Sequence, residues 1–224
     1  MGTREKIVAF VAPMGAFIAL LALNVALPPV GRSFWLQHPE FWVFPLQTIV
    51  GALILWRFWP AYQMRRPRGL ALGIGVAVLV FALWVSPQSV LGFEPRRTGF
   101  NPEVFATQPA LFWSTVTLRF LRLVVIVPLV EEIFWRGFLL RYLIDEKFDQ
   151  VPFGAFSWFS FFAVTVAFAL SHSPADWPAA ILTGALYNWV AYRTKSLSTC
   201  VVTHAVTNLL LGIWIMLTKQ WGFW

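Results

Sequence analysis

Long apolar runs separated by short charged or proline-containing segments dominate the chain. A helix needs about 20 mostly apolar residues to cross the hydrocarbon core of a bilayer. The runs therefore predict an all-α fold, a polytopic transmembrane helix bundle of about seven spans, with six to eight as the range at roughly 20 residues per span. The predicted spans are 7–27, 41–59, 69–85, 111–143, 152–170, 177–192 and 197–217.

The bundle is predicted to be one continuous unit with two parts. Residues 1–110 hold the N-terminal spans and a connector, and Pro28 and Pro29 should end the first span because proline stops a helix. The connector, residues 86–110, is too long for a tight turn and is expected to hold an interfacial helix or a lid. Residues 111–224 hold the remaining spans and the polar motifs considered below.

Composition and charge indicate a membrane protein rather than a nucleic-acid-binding one. The chain is 58% hydrophobic and 12% charged, about half the charged fraction of a soluble protein. Its net charge of +7 comes from basic residues in the short segments between apolar runs. The densest basic cluster, at 57–68, is expected to face the cytoplasm, which places the amino terminus inside. The compact architecture suggests a multi-pass protein of a bacterial cytoplasmic membrane.

The fourth run carries charges that an apolar helix does not need. Glu131, Glu132 and Arg136 lie within six residues, and each ionisable group at bilayer depth costs at least ~2.5 kcal/mol. Residues four apart stack on a helix, so Glu132 and Arg136 are predicted to form an ion pair. Glu131 is turned about 100° from Glu132 and has no such partner. An unpaired carboxylate is suited to act as a general base near neutral pH.

Two other spans supply polar groups that would join Glu131. His172 ends the fifth span, one helical turn after Phe168, and His204 and Asn208 share one face of the seventh. Polar groups facing lipid cost several kcal/mol each, so these side chains are predicted to share one buried site. Helix rise places His172 roughly 28 Å from the loop before its span, so that span must start deeper, kink or tilt to reach Glu131.

These motifs, in this order, resemble the CPBP family, which includes the CAAX prenyl endopeptidases and the bacteriocin-processing and immunity proteins. The resemblance covers about residues 111–211. The motifs that carry it are Glu-Glu-Ile-Phe-Trp-Arg-Gly at 131–137, Phe168-x-x-x-His172, Gly-Ala-Leu-Tyr at 184–187, Tyr-Arg-Thr-Lys-Ser at 192–196 and His204-Ala-x-x-Asn208.

The resemblance implies an intramembrane glutamate protease that needs no cofactor. Glu131 would activate water with help from His172, and His204 and Asn208 would stabilise the oxyanion. Glu132, Arg136 and Phe168 would support the geometry of the site. The expected partners are the lipid bilayer and a membrane-anchored or lipidated peptide or protein. The sequence indicates neither the oligomeric state nor the membrane face to which the site opens.

Two other catalytic chemistries use the same residues. Glu131 or Glu132 with His172 and His204 would be a ligand set for a zinc-dependent membrane metallopeptidase. Cys200 lies one turn before His204, so the spacing also imitates a Cys-His-Asn set. A rigid helix rarely aims three such groups at one atom, and a cysteine that packs as a small apolar residue is the simpler interpretation.

A last alternative is a polar network without catalysis, in a membrane scaffold or self-immunity protein. Such a network should be sealed and fully hydrogen-bonded, whereas an enzyme needs a cavity that opens from Glu131. A transporter is disfavoured because the chain shows no inverted repeat.

Overall fold

The fold is entirely helical in a computed structural model that describes residues 2–27 and 31–224. Within these residues no strand is formed, which confirms the predicted all-α bundle. The helices are α1 Thr3–Ala26, α2 Phe34–Gln37, α3 Glu40–Phe58, α4 Leu70–Ser89, α5 Pro109–Leu121, α6 Val127–Glu132, α7 Leu140–Tyr142, α8 Trp158–Leu170, α9 Trp177–Thr194 and α10 Leu197–Thr218. The π-helical segments Arg122–Ile126 and Ile133–Leu139 join α5, α6 and α7 into one unbroken helix, the site helix.

In the described part of the chain, four helices are long and apolar enough to cross a membrane. They are α1, α3 with its extension to Tyr62, α4 and α10, and they coincide with the first, second, third and seventh predicted spans. The predicted total of about seven spans is not confirmed. Helix α1 ends at Ala26, and the prolines predicted to stop it lie outside the described residues.

The fifth apolar run forms a shorter helix than predicted. Helix α8 begins at Trp158 rather than near residue 152, so the predicted start was wrong. The reason is the backbone before it, because Gly154 adopts the left-handed conformation (φ +81°), which ends regular helix. A Cβ at Gly154 would also lie 2.9 Å from the carbonyl oxygen of Ala191. Because α8 begins late, fewer residues separate its start from His172, which is one of the ways that the sequence allowed for His172 to reach Glu131.

Helix α10 lies at the centre of the bundle, against α4, α9 and the site helix. Helices α1 and α3 pack together on the other side of the site helix, and α8 pairs with α9. The connector forms a single 3-10 turn at Pro102–Phe105, whose Phe105 packs on Phe41 and Phe34. The arrangement places α6 and α10 side by side, and both carry predicted site residues.

Two arginines on the site helix are buried among aromatic rings. The Arg119 guanidinium lies 4.6 Å from the centre of the Phe44 ring, and Arg122 lies 4.7 Å from the same ring. Arg122 also donates a hydrogen bond to Oε1 of Gln47 at 2.7 Å. Cation–π contacts of this kind stabilise a desolvated guanidinium. Rings and an amide therefore hold these two cations, and neither forms an ion pair with a carboxylate in the described part of the chain.

Candidate active site

The predicted pair of Glu132 and Arg136 is present and completely buried. Nη1 of Arg136 lies 3.0 Å from Oε1 of Glu132, and both side chains have no exposed surface. The same carboxylate oxygen accepts a second hydrogen bond, at 2.9 Å, from Nδ1 of His204 on α10. Glu132 therefore links the site helix to α10 and is not available as a base.

Arg136 completes this buried group through α9. Its Nε donates to Oδ1 of Asn188 at 3.1 Å, and its Nη2 donates to the carbonyl oxygen of Gly184 at 3.2 Å. The guanidinium also lies over the rings of Phe168 and Tyr187. A Cβ on Gly184 would meet the Phe168 ring at 3.3 Å, so glycine there lets α8 and α9 approach closely. We call Glu132, Arg136, Asn188 and His204 the buried node.

Glu131 faces the opposite environment, a cavity of about 370 Å³. Its Oε2 is buried and has no hydrogen-bond partner within residues 2–27 and 31–224, as is also true of Oε2 of Glu132, but Glu132 does not line this cavity. All four predicted catalytic residues, and the supporting Phe168, line this Glu131 cavity. The site that the sequence predicted from three separate spans is therefore assembled in one place.

His172 presents one ring nitrogen to the Glu131 cavity. Its Nδ1 lies 2.8 Å from the carbonyl oxygen of Phe168, and a carbonyl only accepts, so Nδ1 carries the proton. In the neutral ring, Nε2 is then an acceptor. The ring is held between Phe168 and Trp84, with centroid distances of 4.7 Å and 5.7 Å. Phe168 thus orients the histidine one turn after it, as its spacing predicted.

His204 and Asn208 line the cavity, and each also forms a hydrogen bond to the site helix. Because the Glu132 carboxylate accepts from Nδ1 of His204, Nε2 donates into the cavity only when the ring carries two protons. Nδ2 of Asn208 donates to the carbonyl oxygen of Leu123 at 2.9 Å. The amide has a second N–H, which that bond leaves free.

The Leu123 carbonyl is available because the site helix is not a regular α-helix there. In the π-helical segment 122–126 each N–H bonds five residues back, so the partner of Leu123 would be the N–H of residue 128. Residue 128 is Pro128, which has no N–H. Asn208 supplies the missing donor. We did not predict the π-helical segments, and Pro128 inside the apolar run was the available signal.

The rim of the Glu131 cavity consists of residues that the sequence did not single out. Arg96 of the connector pairs with Asp176, which precedes α9, and its guanidinium lies over the Phe223 ring at 4.5 Å. These residues and Ser173 belong to the end of the bundle opposite the start of α1. The cavity therefore reaches the end of the bundle opposite the amino terminus.

The two other catalytic chemistries receive no support from the geometry. In the described part of the chain no three His, Cys, Asp or Glu side chains come together to hold a metal ion. Oε1 of Glu132 is already bound by Arg136 and His204. Cys200 is 1% exposed and packs in the apolar core rather than lining the Glu131 cavity.

Comparison with protein families agrees with the motifs. Residues 112–210 match the family model described as type II CAAX prenyl endopeptidase Rce1-like. Comparisons with curated proteins and with solved structures gave no match. The matched segment contains both glutamates, both cavity histidines and Asn208, and it confirms the predicted family relationship. Over residues 112–210 the chain is therefore similar to the Rce1-like family of type II CAAX prenyl endopeptidases.

Proposed function

We propose that the protein is an intramembrane endopeptidase in which Glu131 activates the water that attacks a peptide carbonyl. The family match and the apolar helices support a CAAX-protease-like membrane endopeptidase in general. The mechanism rests on one observation. Of two adjacent glutamates, Glu132 is paired with Arg136 and His204 in the buried node, whereas Glu131 lines a cavity and forms no ion pair in the described part of the chain.

Glu131 is the group that takes a proton from water in this mechanism. Its carboxylate, which lines the cavity, accepts the proton as the water oxygen bonds to the substrate carbonyl carbon. Nε2 of His172, the acceptor nitrogen of the neutral ring, helps to orient the same water. Collapse of the tetrahedral intermediate then transfers the proton to the leaving amine. No step requires a metal ion or another cofactor.

His204 and Asn208 are proposed to stabilise the oxyanion of the intermediate. When both ring nitrogens of His204 carry protons, Nδ1 binds Glu132 and the Nε2–H can donate into the cavity. The second N–H of Asn208 is the other donor. Donors that are already oriented stabilise developing charge more than solvent does. The bonds to Glu132 and Leu123 fix the orientation of both side chains.

The substrate is proposed to be a peptide segment of a membrane-anchored or lipidated protein. A cavity of about 370 Å³ is within the roughly 300–1,000 Å³ range of ligand pockets. Its lining combines the polar groups above with the apolar side chains of Leu123, Val127 and Leu211. It would therefore hold a peptide bond next to an apolar side chain or anchor. An open cavity of this kind supports an enzyme rather than a sealed scaffold.

Membrane proteomics tests this function and identifies the substrate in the same experiment. Cells that produce the wild-type protein are compared with cells that produce equal amounts of Glu131→Gln and with cells that lack the protein. New peptide termini should arise in or beside membrane anchors only with the wild type. If the Glu131→Gln cells show the same termini, the proposal is wrong.

A further inference from the structure

A second large cavity lies at the end of the bundle opposite the Glu131 cavity. It has a volume of about 320 Å³ and is bounded by the start of α1, the residues after α3, the loop after α7 and the start of α10. Its lining contains six cations and one acidic residue, Asp149. The cations are Lys6, Arg65, Arg66, Arg68, Arg141 and Lys195. We call it the basic cavity.

Most of this positive charge has no side-chain partner in the part of the protein that the structure describes. Lys6 pairs with Asp149 at 2.7 Å, and this bond lowers the pKa of the Asp149 carboxyl. The Arg141 side chain donates two hydrogen bonds to backbone carbonyl oxygens, from Nε to Val151 and from Nη1 to Gly137. The remaining four side chains, Arg65, Arg66, Arg68 and Lys195, make no ion pair or hydrogen bond within residues 2–27 and 31–224.

The loop between α3 and α4, which carries the three arginines Arg65, Arg66 and Arg68, is held in place by hydrogen bonds to its backbone. The backbone N–H of Arg68 donates to Oγ1 of Thr199, and the same hydroxyl donates back to the Arg68 carbonyl oxygen at 2.7 Å. The hydroxyl of Ser198 donates to the carbonyl oxygen of Arg65. These bonds tie the loop between α3 and α4 to the first turn of α10. The arginines therefore extend from a backbone held in place, which lowers the entropic cost of binding.

The surroundings favour an anion at the membrane surface. Ser196, Leu197 and Ser198 place the N-terminus of α10, a helix of 22 residues, in the cavity wall, and a helix N-terminus attracts negative charge. The cavity lies where two candidate spans begin and a third ends, the depth of lipid headgroups. Val8, on α1, which lines the cavity, is 53% exposed, and Trp56, near the end of α3 just before the lining residues, is 78% exposed; both offer apolar surface for acyl chains.

We infer that the basic cavity binds the phosphate headgroup of an anionic phospholipid. Planar guanidinium groups bind phosphate through paired hydrogen bonds, and basic pockets between transmembrane helices on one face bind anionic headgroups. The inference does not depend on the proposed peptidase activity, because the basic cavity and the Glu131 cavity have no lining residue in common. A soluble phosphate compound would meet the same cations, so the test separates the two sources.

The test measures lipid binding to the purified full-length protein in neutral detergent by native mass spectrometry, with phosphatidylglycerol as probe and phosphatidylcholine as reference. A triple variant changes Arg65, Arg66 and Arg68 to Gln. The matched control changes Arg4, Arg57 and Arg193 to Gln, which removes the same charge from the same end of the bundle outside the cavity. At about one kcal/mol per basic residue, the triple variant should bind phosphatidylglycerol about 100-fold more weakly. The control should stay within about threefold of wild type.

Equal losses in the two variants, or no preference for phosphatidylglycerol over phosphatidylcholine, would overturn the inference. Glycerol 3-phosphate is titrated in parallel. Binding of that soluble compound as tight as the binding of phosphatidylglycerol would overturn the lipid assignment. Should the triple variant fail to fold by circular dichroism, Arg66→Gln alone is measured, with Arg193→Gln as its control. Arg66→Gln should bind about fivefold more weakly and Arg193→Gln should bind like wild type.

Discussion

Glu131 and Glu132 are neighbours in the chain, yet they lie in opposite environments. Glu132 has no exposed surface and accepts hydrogen bonds from Arg136 and His204. Glu131 lines an open cavity and forms no ion pair in the described part of the chain. A buried carboxylate that already binds two donors holds helices together, whereas a free one is available to take a proton. The difference assigns one glutamate to structure and the other to chemistry.

The largest expected change in stability comes from the structural glutamate. Glu132→Gln leaves the guanidinium of Arg136 buried without its counter-charge, which should lower the free energy of unfolding by about 3–5 kcal/mol. Thermal unfolding of the variant in detergent, followed by circular dichroism, measures the effect. A variant that melts like the wild type would show that the buried node does not stabilise the bundle.

Asn208 lies at the boundary between the two environments, so its variant sharpens the comparison. If its free N–H stabilises the oxyanion, Asn208→Ala should lower kcat by ~10² to 10³, about 2.7–4 kcal/mol, with KM little changed. If Asn208 only donates to the Leu123 carbonyl, the variant should lose about 0.6 kcal/mol of free energy of unfolding, seen as a lower melting temperature, with near-normal turnover. Single-turnover rate and melting temperature on one preparation distinguish the two roles.

A smaller effect is expected from the thiol in the core. Cys200→Ala removes one buried sulfur that is 1% exposed and contacts neither the Glu131 cavity nor its rim. We expect a modest loss of stability, about 1 kcal/mol, the typical cost of a single substitution. Turnover by the folded fraction, measured after the fraction is quantified, should equal that of wild type. Complete loss of activity in a folded Cys200→Ala protein would revive the thiol mechanism.

No change is expected when metal ions are removed. A glutamate base needs no zinc, so dialysis against a strong chelator should leave turnover unaltered. Elemental analysis of the purified protein should find well under one metal ion per chain. Stoichiometric zinc, lost together with activity when His172 or His204 is replaced by Ala, would instead assign the reaction to a metallopeptidase.

Helical periodicity predicted the contacts within single helices. Glu132 and Arg136 are one turn apart, and the predicted ion pair between them is present. Phe168 and His172 are also one turn apart, and their rings are in contact. The polarity of these residues in apolar runs also predicted that they share a site, because lipid leaves few other places for them. The shared cavity followed from the physical cost of exposing polar groups to lipid rather than from the packing of particular helices.

Contacts between helices were not predictable in the same way. Nothing in the sequence pairs His204 with Glu132 rather than Glu131, because the choice depends on how α10 rotates against the site helix. The partners of Arg136 on α9, Asn188 and the carbonyl of Gly184, depend likewise on helix packing. The π-helical segments change the register inside one helix, and regular periodicity cannot represent them.

The division between the two glutamates is tested most directly by one assay on Glu131→Gln, with Glu132→Gln as the matched control. Each variant replaces a carboxylate by an amide of nearly the same size. Turnover of a peptide found by the proteomic comparison and melting temperature are measured on both proteins. Glu131→Gln should lose at least ~10² in turnover, the scale of general-base catalysis, and should melt like the wild type. Full activity in a folded Glu131→Gln protein would contradict the account.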